Sequence, residues 1–140
     1  MFKHILVAVD GSEHSMHALN TAKTLAVSLQ GETAMTVLHV NPSIAMNEPP
    51  VGVDVDDRIE EEGRHILEPA ADLLAGSGIT YEMAAAHGNP AEVICQAARE
   101  KNADLIIMGT RGHSLVKEML LGSVSHSVIA HAPCPVLTVK

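Results

Sequence analysis

Aromatic side chains are almost missing from this chain. Phe2 and Tyr81 are the only two, and there is no tryptophan. A core without large rings must be filled by Val, Ile, Leu, Ala and Met. Hydrophobic residues make up 46% of the sequence, so the material for such a core is there. Val- and Ile-rich strands between Ala-rich helices suit a layered α/β arrangement. Cysteine is scarce as well. Cys95 and Cys134 stand far apart and form no Cys-x-x-Cys pair, which is simplest for a reduced, cytoplasmic setting. Positive charge is short too, with 9 Lys and Arg against 17 Asp and Glu and a net charge of -8. Much of the acidic excess lies between Glu48 and Glu62. No basic patch remains to grip a nucleic-acid backbone. No apolar run approaches the length of a membrane-spanning helix. An apolar strand pattern begins almost at the N-terminus, so no signal peptide is expected.

What is present alternates in period. His4 to Val9 is a short, continuous apolar run of the buried parallel type. Ser12 is placed to cap a helix after it. Ser15, Ala18, Leu19, Ala22, Leu25, Ala26 and Leu29 share that helix's inner face, and Gly31 closes it. Ala34 to Val40 reads as a second strand. A proline- and glycine-bearing loop follows from Asn41 to Val55, then a helix from Asp56 to Ala75 that Pro69 should kink or break. Thr80 to Ala86 is the third strand. Asn89-Pro90-Ala91-Glu92 is a helix start with a cap, proline at the first position and a returning glutamate. Asp104 to Met108 is the fourth strand. A last helix follows Gly122, with Val124, Val128 and Ile129 toward the sheet, before a terminal strand Val136 to Val139. The alternation predicts an α/β fold: an open, mainly parallel five-stranded sheet with helices on both faces, Rossmann-like, in one domain over residues 1–140.

The chemistry gathers at strand ends. Gly109-Thr110-Arg111-Gly112, nine residues, then Gly122-Ser123 follow the fourth strand. Strand-end glycines free backbone N–H groups for an anion, and a helix start adds a favourable dipole. The lysine of the common ATPase loop is absent. In open parallel sheets ligands sit where the strand order reverses. If strands one and four are neighbours there, Asp10 faces the glycine loop. It would then accept from ribose hydroxyls, or hold a divalent ion through water, or simply cap the first helix. Met108, beside Gly109, joins the candidate set.

These features together resemble the universal stress protein family, in the subgroup with the nucleotide-binding signature Gly-x-x-Gly-x9-Gly-Ser/Thr. The likeness covers the chain from Ile5-Leu6-Val7-Ala8-Val9-Asp10-Gly11-Ser12 through Gly88-Asn89-Pro90-Ala91 and Gly122-Ser123-Val124-Ser125 to Cys134-Pro135-Val136-Leu137. The resemblance implies ATP as ligand, with AMP or ADP as alternatives and Mg or Mn accompanying it. It implies that Asp10, Val9 and Ser12 lie at the nucleoside end and that the backbone of Val40 reads the adenine edge. It implies a phosphate cradle of Gly109, Gly112, Gly122 and Ser123, with His113, Ser114 and Val124 nearby. It also implies a homodimer through Val136 to Val139, and it leaves room for a further protein partner.

Other readings carry less. His14 and His17 are at i, i+3, but no further ligand completes a metal set, so they read as solvated. His39 reads as a buried, hydrogen-bonded strand residue. His126 and His131 read as facing the last helix's polar side or a dimer. Neither cysteine has an activating base at useful spacing. Ser123 lacks a nucleophile elbow. No base for an attacking water is evident, so the expected function is a nucleotide-dependent switch or adaptor in stress response with little efficient catalysis. The alternatives are a slow Mg- or Mn-dependent ATPase and a nucleotide-free adaptor.

Overall fold

The computed structural model describes residues 2–30, 32–42, 55–111 and 122–140, and for 55–60 the backbone only. In chain order the elements are β1 (His4–Ala8), α1 (Glu13–Ser28), β2 (Ala34–Pro42), α2 (Val55–Leu74), β3 (Thr80–Gly88), α3 (Pro90–Glu100), β4 (Leu105–Gly109), α4 (Ser123–His131) and β5 (Val136–Val139). The sheet order is β3-β2-β1-β4-β5, and every described pairing is parallel. The order therefore reverses at β1, with β2 on one side and β4 on the other.

The apolar runs explain this layering. Ile5, Leu6 and Val7 are fully buried, because β1 is central and both its faces are covered. Ile5 and Val7 pack with Ala18, Leu19 and Ala22 of α1 and with Ala70 and Leu74 of α2. Leu6 and Ile106 turn the other way, onto Ile94 and Ala98 of α3 and Val128 of α4. Each large aliphatic side chain buried this way contributes ~1.5–3 kcal/mol. The helix starts follow the capping pattern. Ser12 Oγ accepts from Ser15 N–H at 3.2 Å, and Asn89 Oδ1 accepts from Glu92 N–H at 3.2 Å with Pro90 behind it.

Several boundaries depart from the sequence reading. β2 continues through Asn41 and Pro42, which pair with His87 and Gly88 of a β3 that is itself longer than expected. Residues 43–54 of the loop expected there, and Gly31, lie outside the described residues. α2 runs unbroken through Pro69. Pro69 and His65 are both exposed, so water can replace the backbone bond that proline removes. Ile129 is 47% exposed rather than turned to the sheet, because Ser125 and Val128 define the inward face of α4. Asp104 precedes β4. Its carboxylate accepts from the N–H groups of Lys3 at 2.8 Å and His4 at 3.1 Å, which ties the start of β1 to that of β4. No helix among the described residues is long and apolar enough to cross a membrane.

A polar chain crosses three strands at the opposite end from the expected site. His4 Nε2 meets Thr36 Oγ1 at 2.7 Å, Thr36 Oγ1 donates to Glu82 Oε1 at 2.9 Å, and Lys101 Nζ pairs with Glu82 at 2.7 Å. Lys101 first and Thr36 second hold the Glu82 carboxyl below its ordinary range. Burial pushes the Asp104 carboxyl up, but the N–H groups of Lys3 and His4 outweigh it, and it too lies low. A depressed folded-state carboxyl stabilises the fold above its unfolded pKa, and that contribution is lost as pH falls through the folded value. Asp104→Asn forfeits one of the two backbone bonds and the charge. Urea unfolding at pH 7 should show a loss of about 1 kcal/mol, shrinking as pH falls through the lowered folded-state value and the wild-type carboxyl protonates. A loss independent of pH would contradict this account.

Candidate functional site

β1 ends at Ala8, and the chain leaves the sheet between two neighbours that run further, β2 to Pro42 and β4 to Gly109. Gly11, at φ 82°, makes the turn that a side chain would resist. Asp10 Oδ1 accepts from Ser12 N–H at 2.9 Å, closing a short side-chain turn. Ser15 Oγ donates to Ser12 O at 2.9 Å and accepts from Asp10 N–H at 3.3 Å. The segment from Asp10 to Ser15 is thus locked, and Ser12, not Asp10, caps α1.

β4 ends against this segment. A Cβ on Gly109 would stand 2.8 Å from His14 Cβ, 2.9 Å from the His14 carbonyl carbon and 3.0 Å from Ser15 N. Glycine is required here for α1 to lie close on β4. Thr110 Oγ1 meets His14 Nδ1 at 2.9 Å, and Thr110 N–H donates to Val139 O at 2.9 Å. α4 then returns to the same place. Gly122 N–H donates to Thr110 O at 2.7 Å, and Ser125 Oγ reaches Gly109 O at 2.8 Å and Thr110 O at 3.1 Å. The N-terminus of α4 is pinned to the C-terminus of β4.

A cavity of about 400 Å³ opens at this reversal. Val9, Asp10, Val40, Met108, Gly109, Gly122, Ser123 and Val124 all line it. Ser12 does not; it is buried and engaged in capping. Gly112, His113 and Ser114 lie outside the described residues. Sequence reasoning missed Ser15, Glu62, Ile94 and Ser125, which also line the cavity. Ser125 stands three residues after Gly122, the one local hint that it shares a face with the helix start.

The walls have distinct chemistry. Leu38, Val40, Ile94 and Met108 make an apolar side. Opposite charges face the opening: Asp10 and Glu62 on one hand, Arg111 on the other. The Glu62 carboxylate also accepts from the buried Asn41 amide. At α4 the helix begins without a side-chain cap. His126 N–H makes the first bond back to Gly122 O, so the N–H groups of Ser123, Val124 and Ser125 have no acceptor within the helix. Gly122, expected in the cradle, gives its N–H to Thr110, and the cradle starts one residue later. Three N–H groups and a helix dipole pointing into a cavity favour an anion.

A larger groove of about 780 Å³ runs along α3 and the Ala84–Ala86 stretch of β3. There Asn89 already caps α3, so the same donors are not on offer. Burial pushes both the Cys95 and Cys134 thiols up, which lowers the thiolate fraction at neutral pH. His14 and His17 are held by Thr110 and by the Lys140 carbonyl. Among the described residues no three His, Cys, Asp or Glu side chains are grouped to hold a metal.

Comparison with known proteins agrees with the fold. The sequence profile of the Universal stress protein family matches residues 1–140. The chain is 39% identical to universal stress protein YxiE of Bacillus subtilis across the whole of both chains. A solved structure of hypothetical protein MJ0577 superposes with a TM-score of 0.86 at 31% identity, covering 100% of this chain and 96% of that one. A universal stress protein family protein from Arabidopsis thaliana with AMP bound superposes with a TM-score of 0.71 at 25% identity, covering 99% and 91%.

Gly109→Ala tests the packing at the heart of the site. Its Cβ would press on the α1 backbone, and destabilisation of about 1–3 kcal/mol should appear as a lower urea midpoint. Unchanged stability would mean that α1 moves aside without cost.

Proposed function

The chain belongs to the universal stress protein family, and from that premise we propose that it binds an adenine nucleotide, ATP foremost, at the strand reversal and acts as a nucleotide-dependent switch or adaptor in stress response. The observation that carries this reading is the set of three N–H groups at the start of α4 that have no acceptor within the helix or side-chain cap among the described residues, in the cavity that Asp10 also lines. Phosphates lie on Ser123, Val124 and Ser125, with the glycine segment through Gly112, His113 and Ser114 completing the cradle. The base lies against Val9, Val40 and Met108, and the ribose lies near Asp10. AMP in the Arabidopsis relative supports the nucleotide class. A triphosphate beside Asp10 and Glu62 calls for a cation. Mg or Mn carried on the phosphates would meet Asp10 through water, and its charge would offset the two carboxylates. Binding crosslinks the ends of β1 and β4 through α4 and stabilises the fold by linkage. One nucleotide-binding unit then spans residues 1–140 and works in the cytoplasm.

The same reading includes a homodimer. β5 is the edge strand beyond β4, and Leu137 on it is 40% exposed. Pairing of Val136–Val139 across a two-fold axis would cover both that edge and that side chain.

Two measurements test this. Denaturing the purified protein should release adenine nucleotide, and calorimetry on the stripped protein should show Mg-ATP binding that Asp10→Ala weakens about tenfold or more. Failure of millimolar Mg-ATP to bind would favour a nucleotide-free adaptor, and metal-dependent turnover lost in Asp10→Ala would favour a slow ATPase. For the dimer, Leu137→Asp should convert a particle of twice the chain mass into a monomer in light scattering. A monomeric wild type would contradict the dimer.

A further inference from the structure

β1 and β2 pair in register and then part at a defined rung. Even-numbered residues of β2 turn their backbone groups toward β1. Ala34 N–H donates to Lys3 O at 2.9 Å, and Leu38 O accepts from Val9 N–H at 2.9 Å. In a parallel ladder these bonds recur at every second residue, so Val40 points the same way. The next rung would join Val40 N–H to Val9 O. Among the described residues that bond is not made. Val9 O instead meets the His39 ring, with Nδ1 at 2.9 Å.

The ring is placed for this one bond. A carbonyl only accepts, so Nδ1 carries the hydrogen of this bond. Nε2 is buried with no hydrogen-bond partner among the described residues, and His39 as a whole is 3% exposed. An unsatisfied buried polar atom costs ~1–3 kcal/mol. Met35 and Val37 fill the preceding positions on this face of β2 with apolar groups. Packing alone would be served by another aliphatic residue at 39.

We propose that His39 is a positioning residue for the base end of the cavity. A carbonyl has two lone pairs, so the ring acts by holding the Val9 oxygen on its own Nδ1–H and out of line with Val40 N–H, and β1 and β2 do not zip past Val9. The Val40 N–H and C=O are left facing the cavity, which Val9, His39 and Val40 all line. One backbone donor beside one acceptor complements adenine, which presents an acceptor nitrogen beside its amino group, and mismatches the N7/O6 edge of guanine, which presents two acceptors. The inference rests on the adenine-nucleotide reading above and adds the device that keeps the reading backbone open.

His39→Asn and His39→Leu separate the roles. The asparagine amide N–H can stand where Nδ1 stands, whereas leucine has no donor. Each variant and the wild type are titrated with ATP, GTP and tripolyphosphate by calorimetry. Amide hydrogen exchange at Val40 is followed by NMR without ligand, with Val37 and Ile107 reporting that the sheet is intact. His39→Leu should weaken ATP about tenfold or more, abolish its preference over GTP and leave tripolyphosphate within about twofold. Val40 N–H, open in the wild type, should gain protection in His39→Leu as it bonds the freed Val9 carbonyl. His39→Asn should restore both properties. ATP binding by His39→Leu equal to wild type would overturn the role of His39 and leave the nucleotide site standing. Equal losses in both variants with Val40 exchange unchanged would make His39 a packing residue and also overturn it. Should the wild type bind no ATP, the nucleotide reading itself fails, and the ligand-free Val40 exchange still decides whether His39 holds the strands apart.

Discussion

β1 stops at Ala8 while β2 runs on to Pro42 and β4 to Gly109. That early stop at the centre of the sheet is the constraint from which the site follows. A central strand buried on both faces cannot extend into solvent without carrying its apolar side chains with it. The chain turns off at Asp10-Gly11-Ser12, and its two neighbours are left facing one another across the vacated line. The same vacancy lets α1 settle on β4 at Gly109 and lets α4 anchor its start on the Gly109 and Thr110 carbonyls through Ser125. Packing and site are therefore one structure. The contacts that hold α1, β4 and α4 together also fix where the free helix donors point.

The electrostatics of this place are divided. The start of α4 offers N–H groups without an acceptor in the helix, whereas Asp10 and Glu62 bring negative charge to the same cavity, and the chain as a whole carries a net -8. Dipole and backbone donors act over the short range of one helical turn. They favour an anion seated on α4 without making the protein attractive to anions at large. A polyanion lying across the cavity toward Asp10 needs a cation with it, which is why metal and nucleotide belong together in the proposed function.

Much of the layout was legible in the sequence because buried parallel strands are continuous apolar runs. Ile5-Leu6-Val7 and Leu105-Ile106-Ile107 announce themselves locally, and their loops place Asp10 opposite the glycine segment. The strand ends were less legible. β2 extends through Asn41 and Pro42 because β3 offers partners as far as Gly88, a long-range fact with no local signal. Pro69 reads as a breaker, yet its position on an exposed face makes the missing bond cheap to replace. Ile129 follows a plausible spacing, but the inward face of this short helix is taken by Ser125 and Val128. Ser125 looks like any small polar helix residue until the end of β4 is seen beneath it. His39 could be read as buried and bonded, but its partner depends on where β1 stops.

The most direct test of the account is where a nucleotide binds. Backbone amide shifts should be followed by NMR as Mg-ATP is added to the isotope-labelled protein. The account predicts changes concentrated at Val9, Asp10, Val40, Gly109 and Ser123 to Ser125, at the strand reversal. Changes centred instead on Ala84 to Ala86 and the exposed side of α3, along the larger groove, would contradict it.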